Sequence, residues 1–510
     1  MIKKLALPAL LIALLSPWFM LQMYQSMNAD LAWLVIGAQR LLSGGTMTSD
    51  VFDPNPPLSY LIFMPPVLFG KMMGIPVWYA TFFYSALLVL LSTLAIHSIL
   101  KSWTFITQGN RAVLIGAYLI ANTVLTSVNF GQRDQIAILG LAPFLLLQIA
   151  MTMNFPFPKK LQWIVLPLGA LCAVIKPHYG LLPVAVLLVR AAVQRRWTII
   201  FDADFLALTA AVIAYSTATY FLFPDYGRDI LPAAIDLYLP MIDPAVFSNA
   251  RLYGGLLIVL FALTAGAPID KTQKYLAFSL FTAAILVLIG YVAQLKGMVY
   301  HLIPAQVFAL SGFSVLAYGA LRYLYPKRDL WALPIIGAYL LALWYTPLKP
   351  DFPKHDDYKN FEITKRIEAC GTDCTFFMYN ENMAIIHPTA IYTGAIHGSR
   401  FPSLWFMPKI VESDSKLTQA QRDAYRQKYA GLVAEDLQKY KPDILFICQN
   451  CDADSTLNFE TFSNVSPAFV TEWANYQPQD TLTVNRRDYY KGTRADFDHL
   501  LEYKVYRRMK

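Results

Sequence analysis

Residues 28–58 read NADLAWLVIGAQRLLSGGTMTSDVFDPNPPL, and this stretch decides the fold. A single acid, Asp30, follows a long apolar segment, and an amphipathic stretch then runs from Leu31 to Leu42. The pair Gly44-Gly45 indicates that this helix stops there. Three prolines, the last of them Pro57, prevent a regular helix from starting earlier and predict a stiff elbow. The stretch therefore predicts a short surface helix and a proline elbow directly after a first membrane span.

The composition indicates an integral membrane protein. The 510 residues are 56% hydrophobic and only 15% charged, whereas soluble domains carry about 25% charged residues. Apolar runs dominate residues 1–350, and residues 351–510 are an ordinary mixture of charged, polar and apolar types. We therefore expect a transmembrane domain over residues 1–350 and a soluble domain over residues 351–510. The net charge of +8 does not indicate nucleic-acid binding, because the basic residues lie between the apolar runs.

The apolar runs predict about eleven membrane spans, since a helix needs roughly 20 apolar residues to cross the hydrocarbon core. The first span is retained rather than cleaved, because its apolar part is too long for a signal peptide. The fifth and sixth spans are short. The predicted spans are Leu5–Tyr24, Val77–Leu100, Ala112–Phe130, Ile136–Met153, Leu161–Ile175, Tyr179–Val193, Ile199–Phe223, Leu252–Ala267, Tyr275–Gln294, His301–Leu324 and Trp331–Tyr345.

Basic residues in the short loops predict the orientation. They fall on every second connection, which is the pattern expected of loops on the cytoplasmic side. These loops contain Lys3 and Lys4, Lys101 and Arg111, Lys159 and Lys160, Arg195 and Arg196, Lys271 and Lys274, and Arg322, Lys327 and Arg328. With an odd number of spans, the soluble domain then lies outside, on the periplasmic side of the cytoplasmic (inner) membrane.

The opposite face has isolated ionisable residues next to the ends of the spans. Such groups are costly at membrane depth and usually face protein, water or substrate. They are Asp30, Asp50, Asp53, Arg133, Asp134, Lys176, His178, Asp236, Arg251, Lys296 and His301. A single one can be a loop residue or a snorkelling side chain, and Asp30 alone reads as an N-cap of the following helix. Several on one face indicate a site.

This arrangement resembles the GT-C class of membrane glycosyltransferases, which includes the lipid A aminoarabinose transferases and the protein O-mannosyltransferases. The likeness consists of an acid just after the first span, a surface helix ending in glycine, and the Pro56-Pro57-Leu58 elbow. The Gly131–Asp134 turn and Arg195-Arg196-Trp197 are further local likenesses. The aminoarabinose transferases have Glu-Lys before Pro-Pro, where this chain has Pro54-Asn55. The resemblance implies a polyprenyl-phosphate-linked sugar donor and action on the outer side of the membrane.

Sugar transfer from a lipid phosphate needs a base for the acceptor and cations for the leaving phosphate. Asp30 matches the essential first-loop acid of the family and is the expected base of an inverting reaction. Asp53 and Asp134 are expected to orient the acceptor or, with Asp30, to bind a divalent metal ion; the cofactor is otherwise open. Substrate and phosphate contacts are expected from Arg133, Lys176, His178, Arg251, Lys296 and His301. Arg133 and Lys176 are expected to face the same outer cavity as Asp30.

The soluble domain reads as α/β. Thr375–Tyr379 and Ile444–Cys448 are predicted strands, and Thr418–Lys439 has a helical pattern that ends before Pro442. Its four cysteines are Cys370, Cys374, Cys448 and Cys451. We expect disulfides rather than a zinc site in an oxidising outer compartment, and three connectivities are open.

Two other functions remain open from the sequence. A transporter or flippase would place its ionisable residues at mid-membrane, and no internal repeat is evident. An oligosaccharide polymerase or ligase also handles lipid-linked glycans, but would have a large outer loop late in the membrane domain. The expected partners are the lipid-linked donor and membrane lipid, with no nucleic acid. The sequence identifies neither the sugar nor the acceptor.

Overall fold

The computed structural model describes residues 2–345, 355–371, 373–380, 383–411, 416–450, 459–485 and 500–509. The chain divides into two compact units. Unit 1 comprises Met1–Met23, Thr81–Ala218 and Ile242–Leu348. Unit 2 comprises Tyr24–Ala80, Thr219–Met241 and Lys349–Lys510. Two segments from the first 350 residues thus belong to the same unit as the C-terminal region, while the assignment of residues 1–350 and 351–510 as two domains stays a prediction.

Helices dominate the described chain. In chain order they are α1 (Ile2–Tyr24), α2 (Ala29–Leu42), α3 (Met47–Asp50), α4 (Leu58–Leu61), α5 (Met64–Met73), α6 (Val77–Lys101), α7 (Gln108–Ala121), α8 (Arg133–Met153), α9 (Lys159–Ala173), α10 (Leu181–Gln194), α11 (Ala203–Leu222), α12 (Leu231–Ala233), α13 (Ala245–Gly266), α14 (Lys271–Gln294), α15 (Ile303–Leu324), α16 (Ala332–Tyr345), α17 (Glu362–Glu368), α18 (Met383–Thr393), α19 (Met407–Val411), α20 (Gln419–Tyr440), α21 (Phe459–Ser463) and α22 (Pro467–Trp473).

Seven helical segments among the described residues are long and apolar enough to cross a membrane. They are Ala6–Tyr24, Val77–Lys101, Arg133–Met153, Ala203–Leu222, Ala245–Gly266, Lys271–Gln294 and Val299–Leu324. The other four predicted spans coincide with shorter helices, α7, α9, α10 and α16, of 14 or 15 residues. The sequence therefore located a helix for every predicted span, while the number of true spans stays a prediction.

The third predicted span, Ala112–Phe130, is too long at its C-terminal end. Helix α7 ends at Ala121, and only Ser127–Asn129 forms a further helical turn of the 3₁₀ type. The polar side chains that follow bond back to the backbone: Asn122 Nδ2 donates to the Tyr118 carbonyl at 3.0 Å and Thr123 Oγ1 to that of Leu119 at 2.6 Å. Such local bonds compete with helix continuation.

Unit 1 is a bundle in which α14 packs along α15, α8 along α9, and α7 along α15. Small residues permit the close contacts, as expected where packing rather than hydrophobic transfer drives helix association. A Cβ atom at Gly169 in α9 would overlap the ring of Phe144 in α8. The α8–α9 pair places the N-terminal residues of α8 beside the turn that follows α9, and this turn contains Lys176.

The C-terminal part of unit 2 contains a five-stranded mixed sheet of order β2-β1-β3-β5-β4. Its strands are β1 (Thr375–Tyr379), β2 (Ile396–His397), β3 (Ile444–Cys448), β4 (Tyr476–Asn485) and β5 (Leu500–Arg508). Strands β1, β2 and β3 are parallel, with Phe376 opposite Ile444, and β5 is antiparallel to β3 and β4. The structure confirms the two strands predicted from the sequence, residue for residue.

Helix α20 confirms the predicted helix to within one residue. Thr418 caps it through a capping box with Gln421, and Lys441 in the left-handed region ends it just before Pro442. A disulfide joins Cys370 to Cys374 immediately before β1, with 5.5 Å between their Cα atoms. Cys448 is also disulfide-bonded, and Cys451 lies outside the described residues.

Hydrogen bonds hold residues 29–58 against the sheet region inside unit 2. The Arg40 guanidinium donates to the carbonyls of His397 and Ser399, each at 2.5 Å, and to that of Asp50 at 2.8 Å. The Phe52 amide donates to the Arg400 carbonyl at 2.7 Å. Helix α2 and the proline elbow are therefore integral parts of unit 2 and not a free loop.

Candidate functional site

The first candidate cluster lies in unit 1, where α8 begins with Arg133 and Asp134. Gly131 adopts φ +89°, a conformation that favours glycine, and its amide donates to Gln135 Oε1 at 2.7 Å. This turn starts the helix so that Arg133 and Asp134 occupy its first turn, where both side chains are buried. A carboxylate is electrostatically favoured at that end of a helix.

Lys176 forms a buried ion pair with Asp134. Its Nζ lies 2.8 Å from Asp134 Oδ1 and 3.0 Å from Oδ2. The hydroxyl of Tyr179 also donates to Oδ1. Lys176 has extended backbone because Pro177 follows it, and the next residues form a single 3₁₀ turn that places Tyr179 beside the same carboxylate. Neither the ion pair nor the tyrosine was predicted, although the Lys-Pro-His-Tyr turn was an available signal.

The cluster extends to the loop after α14. Lys176 Nζ lies 5.8 Å from the ring centre of Tyr300 and 3.5 Å from Gln294 Oε1. Gln294 also lies 3.2 Å from His178, nitrogen to nitrogen. The ring of His301 is buried against Tyr300, with ring centres 4.5 Å apart. The structure therefore brings together four of the six residues predicted to contact substrate or phosphate, namely Arg133, Lys176, His178 and His301. It adds Gln294, which sequence reasoning missed.

His301 has polar atoms that the protein does not satisfy. Its side chain is 6% exposed, and within the described residues neither ring nitrogen has a hydrogen-bond partner. Burying a polar group without a partner costs free energy, so such a group is often completed by water or a ligand. Asp134, Arg133 and Lys176 are close enough to His301 to interact with it electrostatically. His301 is thus the member of this cluster most in need of a further partner.

The two remaining predicted contact residues, Arg251 and Lys296, are not among the side chains gathered around Asp134. Arg251 is exposed on α13, so it is not one of the buried side chains of the cluster. Lys296 is buried in the turn after α14, and burial lowers the pKa of its ammonium to about 8. Gly297 follows with φ +64°, and a Cβ there would overlap the Asp243 carboxylate. The turn that holds Lys296 therefore requires glycine at position 297, because a side chain there would collide with Asp243.

The second candidate cluster lies in unit 2 at the start of α2. The helix begins at Ala29, and Asn28 caps it: Asn28 Oδ1 accepts from the Asp30 amide at 2.9 Å and from the Leu31 amide at 3.5 Å. The N-cap interpretation of Asp30 is therefore wrong by two residues. Asp30 lies in the first helical turn with a half-buried side chain. It is not required as the cap.

Asp53 is a buried acceptor in the proline elbow. Its Oδ2 accepts from Trp33 Nε1 at 2.6 Å and from Asn55 Nδ2 at 2.9 Å, and the Tyr60 hydroxyl donates to the same oxygen. Its Oδ1 accepts from the Asn55 amide at 3.2 Å. Trp33 lies one turn after Asp30, so Asp53 fixes the helix that presents Asp30. Its contacts suit a positioning residue better than an acceptor-binding or catalytic acid.

The described contacts of Asp134 and Asp53 are with ammonium, N–H and O–H groups, and the expected metal-binding role of Asp30, Asp53 and Asp134 stays a prediction. Both oxygens of Asp134 are occupied by the Lys176 ammonium, and both oxygens of Asp53 accept N–H or O–H groups. A hard cation needs several oxygen ligands facing it, and ammonium or N–H donors cannot serve as ligands. Among the described residues, the group with metal-ligand spacing is Cys370, Cys374 and Asp443, whose two cysteines are joined in the disulfide.

No protein-family model and no curated protein matches this chain. Among solved structures, ArnT from Cupriavidus metallidurans bound to undecaprenyl phosphate is similar over 98% of both chains, with 12% sequence identity and a TM-score of 0.50. The arabinofuranosyltransferase AftD from Mycobacteria is similar over 99% of this chain, with 13% identity and a TM-score of 0.45. This chain spans about 40% of the length of AftD.

The full-length likeness to ArnT establishes the fold. The chain has the architecture of the GT-C-type membrane glycosyltransferases, as the first-loop motif of residues 28–58 predicts. Its apolar helices and this fold make it a multi-pass membrane protein. At 12% identity the likeness does not extend to the reaction or its substrates.

Proposed function

We propose that this chain is a glycosyltransferase that moves a sugar from a polyprenyl-phosphate donor to a glycan, lipid or protein acceptor. The reaction takes place on the outer face of the cytoplasmic membrane. The observation that carries the proposal is the fold shared, over 98% of each chain, with an ArnT structure that holds undecaprenyl phosphate. Asp30 in the first turn of α2 supports it, because a transporter that only moves a lipid has no need for a general base there.

Asp30 takes the role of general base. Its half-buried carboxylate lies six residues after Tyr24, the last residue of the first span, near the depth of a lipid headgroup. The base removes the proton of the acceptor hydroxyl while that oxygen forms a bond to the anomeric carbon. The bond from this carbon to the phosphate oxygen breaks, the lipid phosphate leaves with the electron pair, and the anomeric configuration inverts.

The unit 1 cluster takes the role of phosphate recognition. With Arg133 and Lys176 protonated and Asp134 ionised, the three formal charges sum to +1, which favours an anion. His301 can donate a hydrogen bond from whichever ring nitrogen carries the proton. Lys296, His178 and Arg251 stay proposed contacts to the donor. Asp134 orients Lys176 and Asp53 orients α2, and neither acid needs a metal ion for that task.

Purified protein in detergent should release polyprenyl phosphate from a matching polyprenyl-phosphate sugar, and a panel of sugars would identify the donor. The Asp30→Asn variant is the negative control for a contaminating activity. Release that is equal in wild type and variant, or no release from any lipid-linked sugar while the protein transports such lipids in vesicles, would reject the proposal.

A further inference from the structure

A cluster of aromatic side chains with one acid lies in unit 2, where three parts of the chain meet. The π-helical turn that follows α12 contains Asp236 and Tyr238. Trp405 lies two residues before α19, and its ring packs edge-on against Tyr238 with ring centres 6.0 Å apart. Helix α20 contains Tyr425 and Tyr429, which are four residues apart and therefore share one face of the helix. Aromatic rings from three separate elements thus lie beside one carboxylate.

A hydrogen bond and ring contacts fix these elements against one another. The Tyr425 hydroxyl donates to Asp236, which joins α20 to the turn after α12. Tyr429 stacks on Phe406 with ring centres 3.9 Å apart and an interplanar angle of 10°. Phe52, which precedes the proline elbow, meets the ring of Tyr429 edge-on with centres 5.8 Å apart. The cluster is therefore a well-packed part of unit 2 that extends to the elbow.

Two buried donors of this cluster have no acceptor. Tyr429 is 0% exposed, and within the described residues its hydroxyl has no hydrogen-bond partner. The same holds for the Nε1 atom of Trp405, which is buried although Trp405 as a whole is half-buried. Asp236 and Tyr425 are close enough to Tyr429 to act on it electrostatically. A buried donor without an acceptor costs free energy and is normally completed by water or a ligand.

The polar groups of the cluster define the chemistry of such a ligand. The two donors need acceptor atoms, and the Asp236 carboxylate can accept hydrogen bonds besides the one from Tyr425. A hydroxyl group meets both needs, because it accepts and donates. A sugar has several hydroxyls beside an apolar face of C–H groups, and that face suits the rings of Tyr238 and Trp405. A quaternary ammonium group would suit the acid and the rings, but it would leave both donors without an acceptor.

We infer that this cluster binds a carbohydrate chain, and that this chain is the acceptor of the proposed transfer. The binding depends on the contacts of unit 2 alone, whereas the role as acceptor rests on the proposed function. Hydrogen bonds join the segment that contains the site to the first loop. The Tyr226 hydroxyl donates to the Pro54 carbonyl at 3.2 Å, and Asp225 Oδ2 accepts from the Thr48 amide at 2.7 Å. A glycan bound at the cluster is therefore held on the same compact unit as Asp30.

Binding measured without any sugar donor tests the site. The full chain in detergent is titrated with linear hexasaccharides of mannose, xylose, arabinose or glucose by isothermal titration calorimetry. The wild-type protein should bind at least one of these probes. Tyr429→Phe removes one hydroxyl and keeps the ring, so its affinity for that probe should be lower by about 2–10-fold. The free variant should unfold at the same temperature as the wild type or higher, because the change removes an unsatisfied buried group.

Tyr476→Phe is the matched control. Tyr476 in β4 is 6% exposed, and among the residues that the structure describes its buried hydroxyl also has no partner. Its ring packs against Trp473, with centres 6.2 Å apart, and not against the rings of the cluster. The probe should bind this variant with wild-type affinity. Trp405→Phe removes the second donor and should weaken binding as Tyr429→Phe does.

Three results would overturn the binding site: no probe binds the wild type, Tyr429→Phe binds the probe as tightly as the wild type, or choline displaces the bound probe. The role as acceptor is tested in the transferase assay with the same probe, where Tyr429→Phe should raise the KM for the probe more than it lowers kcat. An unchanged KM would reject that role. Wild-type protein that binds the probe but releases no polyprenyl phosphate would reject the proposed function and leave the binding site in place.

Discussion

At the scale of single residues, Asp30 is the side chain on which the proposed reaction depends. Asp30 does not cap α2, because Asn28 and not Asp30 accepts the first free amides of that helix. A change at Asp30 therefore tests its proposed catalytic role without removing the helix cap. Asp30→Asn should therefore leave the fold intact and abolish sugar transfer. A general base contributes on the order of 10²–10⁴-fold to the rate, so activity should fall by at least that order.

Asn28→Ala is the matched control for the Asp30 variant. It removes the cap, which costs about 1 kcal/mol of stability, and keeps the base. It should lower the thermal stability of the protein in detergent while retaining most of the activity. An Asp30→Asn protein that expresses well and transfers sugar at the wild-type rate would contradict the mechanism.

Two variants can separate the contribution of the Lys176–Asp134 ion pair to stability from the contribution of Lys176 to phosphate binding. Removing one member of a buried pair leaves the other charge uncompensated and costs on the order of 3–5 kcal/mol, so Lys176→Met should express poorly. The double variant Lys176→Met with Asp134→Leu replaces both charges by apolar groups and should recover stability. Its donor binding should stay weak if Lys176 contacts phosphate. Recovery of activity together with stability in the double variant would make the pair purely structural.

The sequence predicted Arg133, Lys176 and His301 as neighbours because all three lie at the outer ends of predicted spans. It did not predict that Asp134 pairs with Lys176, since that contact depends on how α8 packs against α9. The helix start was misplaced from Asn28 to Asp30 because both residues are good caps and the apolar pattern begins only at Leu31. Local signals thus located the polar residues, and tertiary packing determined their partners.

At the scale of elements, α18 and β2 bury two histidines in unit 2. His387 and His397 have ring centres 5.6 Å apart, and His387 Nε2 lies 2.6 Å from the Pro402 carbonyl oxygen. Burial lowers the pKa of His387 to about 3, and burial together with His387 and Arg40 holds the pKa of His397 well below its usual value. Both imidazoles are therefore neutral in the folded unit.

This arrangement predicts acid destabilisation of the α18–β2 region. The unfolded chain takes up a proton at each histidine below about pH 6.5, whereas the folded chain does so only at much lower pH. The stabilisation from the neutral histidines is therefore complete above pH about 6.5 and is lost as the pH falls toward the folded pKa values. Hydrogen exchange of residues 383–397, corrected for intrinsic rates, should show less protection at about pH 5 than at about pH 7.5.

The double variant His387→Gln with His397→Gln is the control for that experiment. Glutamine does not titrate, so the loss of protection between the two pH values should largely disappear in it. Equal loss in the variant and the wild type would show that other groups, such as the Asp50–Lys439 ion pair with its 2.6 Å contact, determine the acid response.

At the scale of the whole molecule, the composition change near residue 350 coincides with one boundary between the two compact units, at Lys349, but the units have further boundaries earlier in the chain. Residues 24–80 and 219–241 belong to the same unit as the C-terminal sheet, although they lie between membrane helices in the sequence. Hydropathy could not predict this, because these segments are amphipathic and their polar faces bind residues hundreds of positions away. Arg40, which donates to carbonyls at positions 397 and 399, is the clearest case.

The orientation of the chain is the remaining large-scale prediction. The alternating basic loops place Lys3, Lys101, Lys159, Arg196, Lys271 and Lys327 in the cytoplasm. Unit 2 contains the segments that connect at the other ends of α1, α6 and α11, so all of it should lie outside. A fluorescent reporter that works only in the cytoplasm should be active after Ser102 and after Arg196. A phosphatase that works only outside should be active at Lys510.

This outcome requires the shorter helices α7, α9, α10 and α16 to cross the membrane as well, because with the seven long helices alone Lys159 and Arg196 would lie on the side opposite Lys3. Basic residues near the span ends determine orientation more strongly than acidic ones. Replacing Lys3 and Lys4 by glutamine while adding lysines after Tyr24 should therefore weaken or invert the reporter pattern. Activity of the same reporter at Ser102 and at Lys510 in the wild-type chain would reject the topology and, with it, the outer position of Asp30.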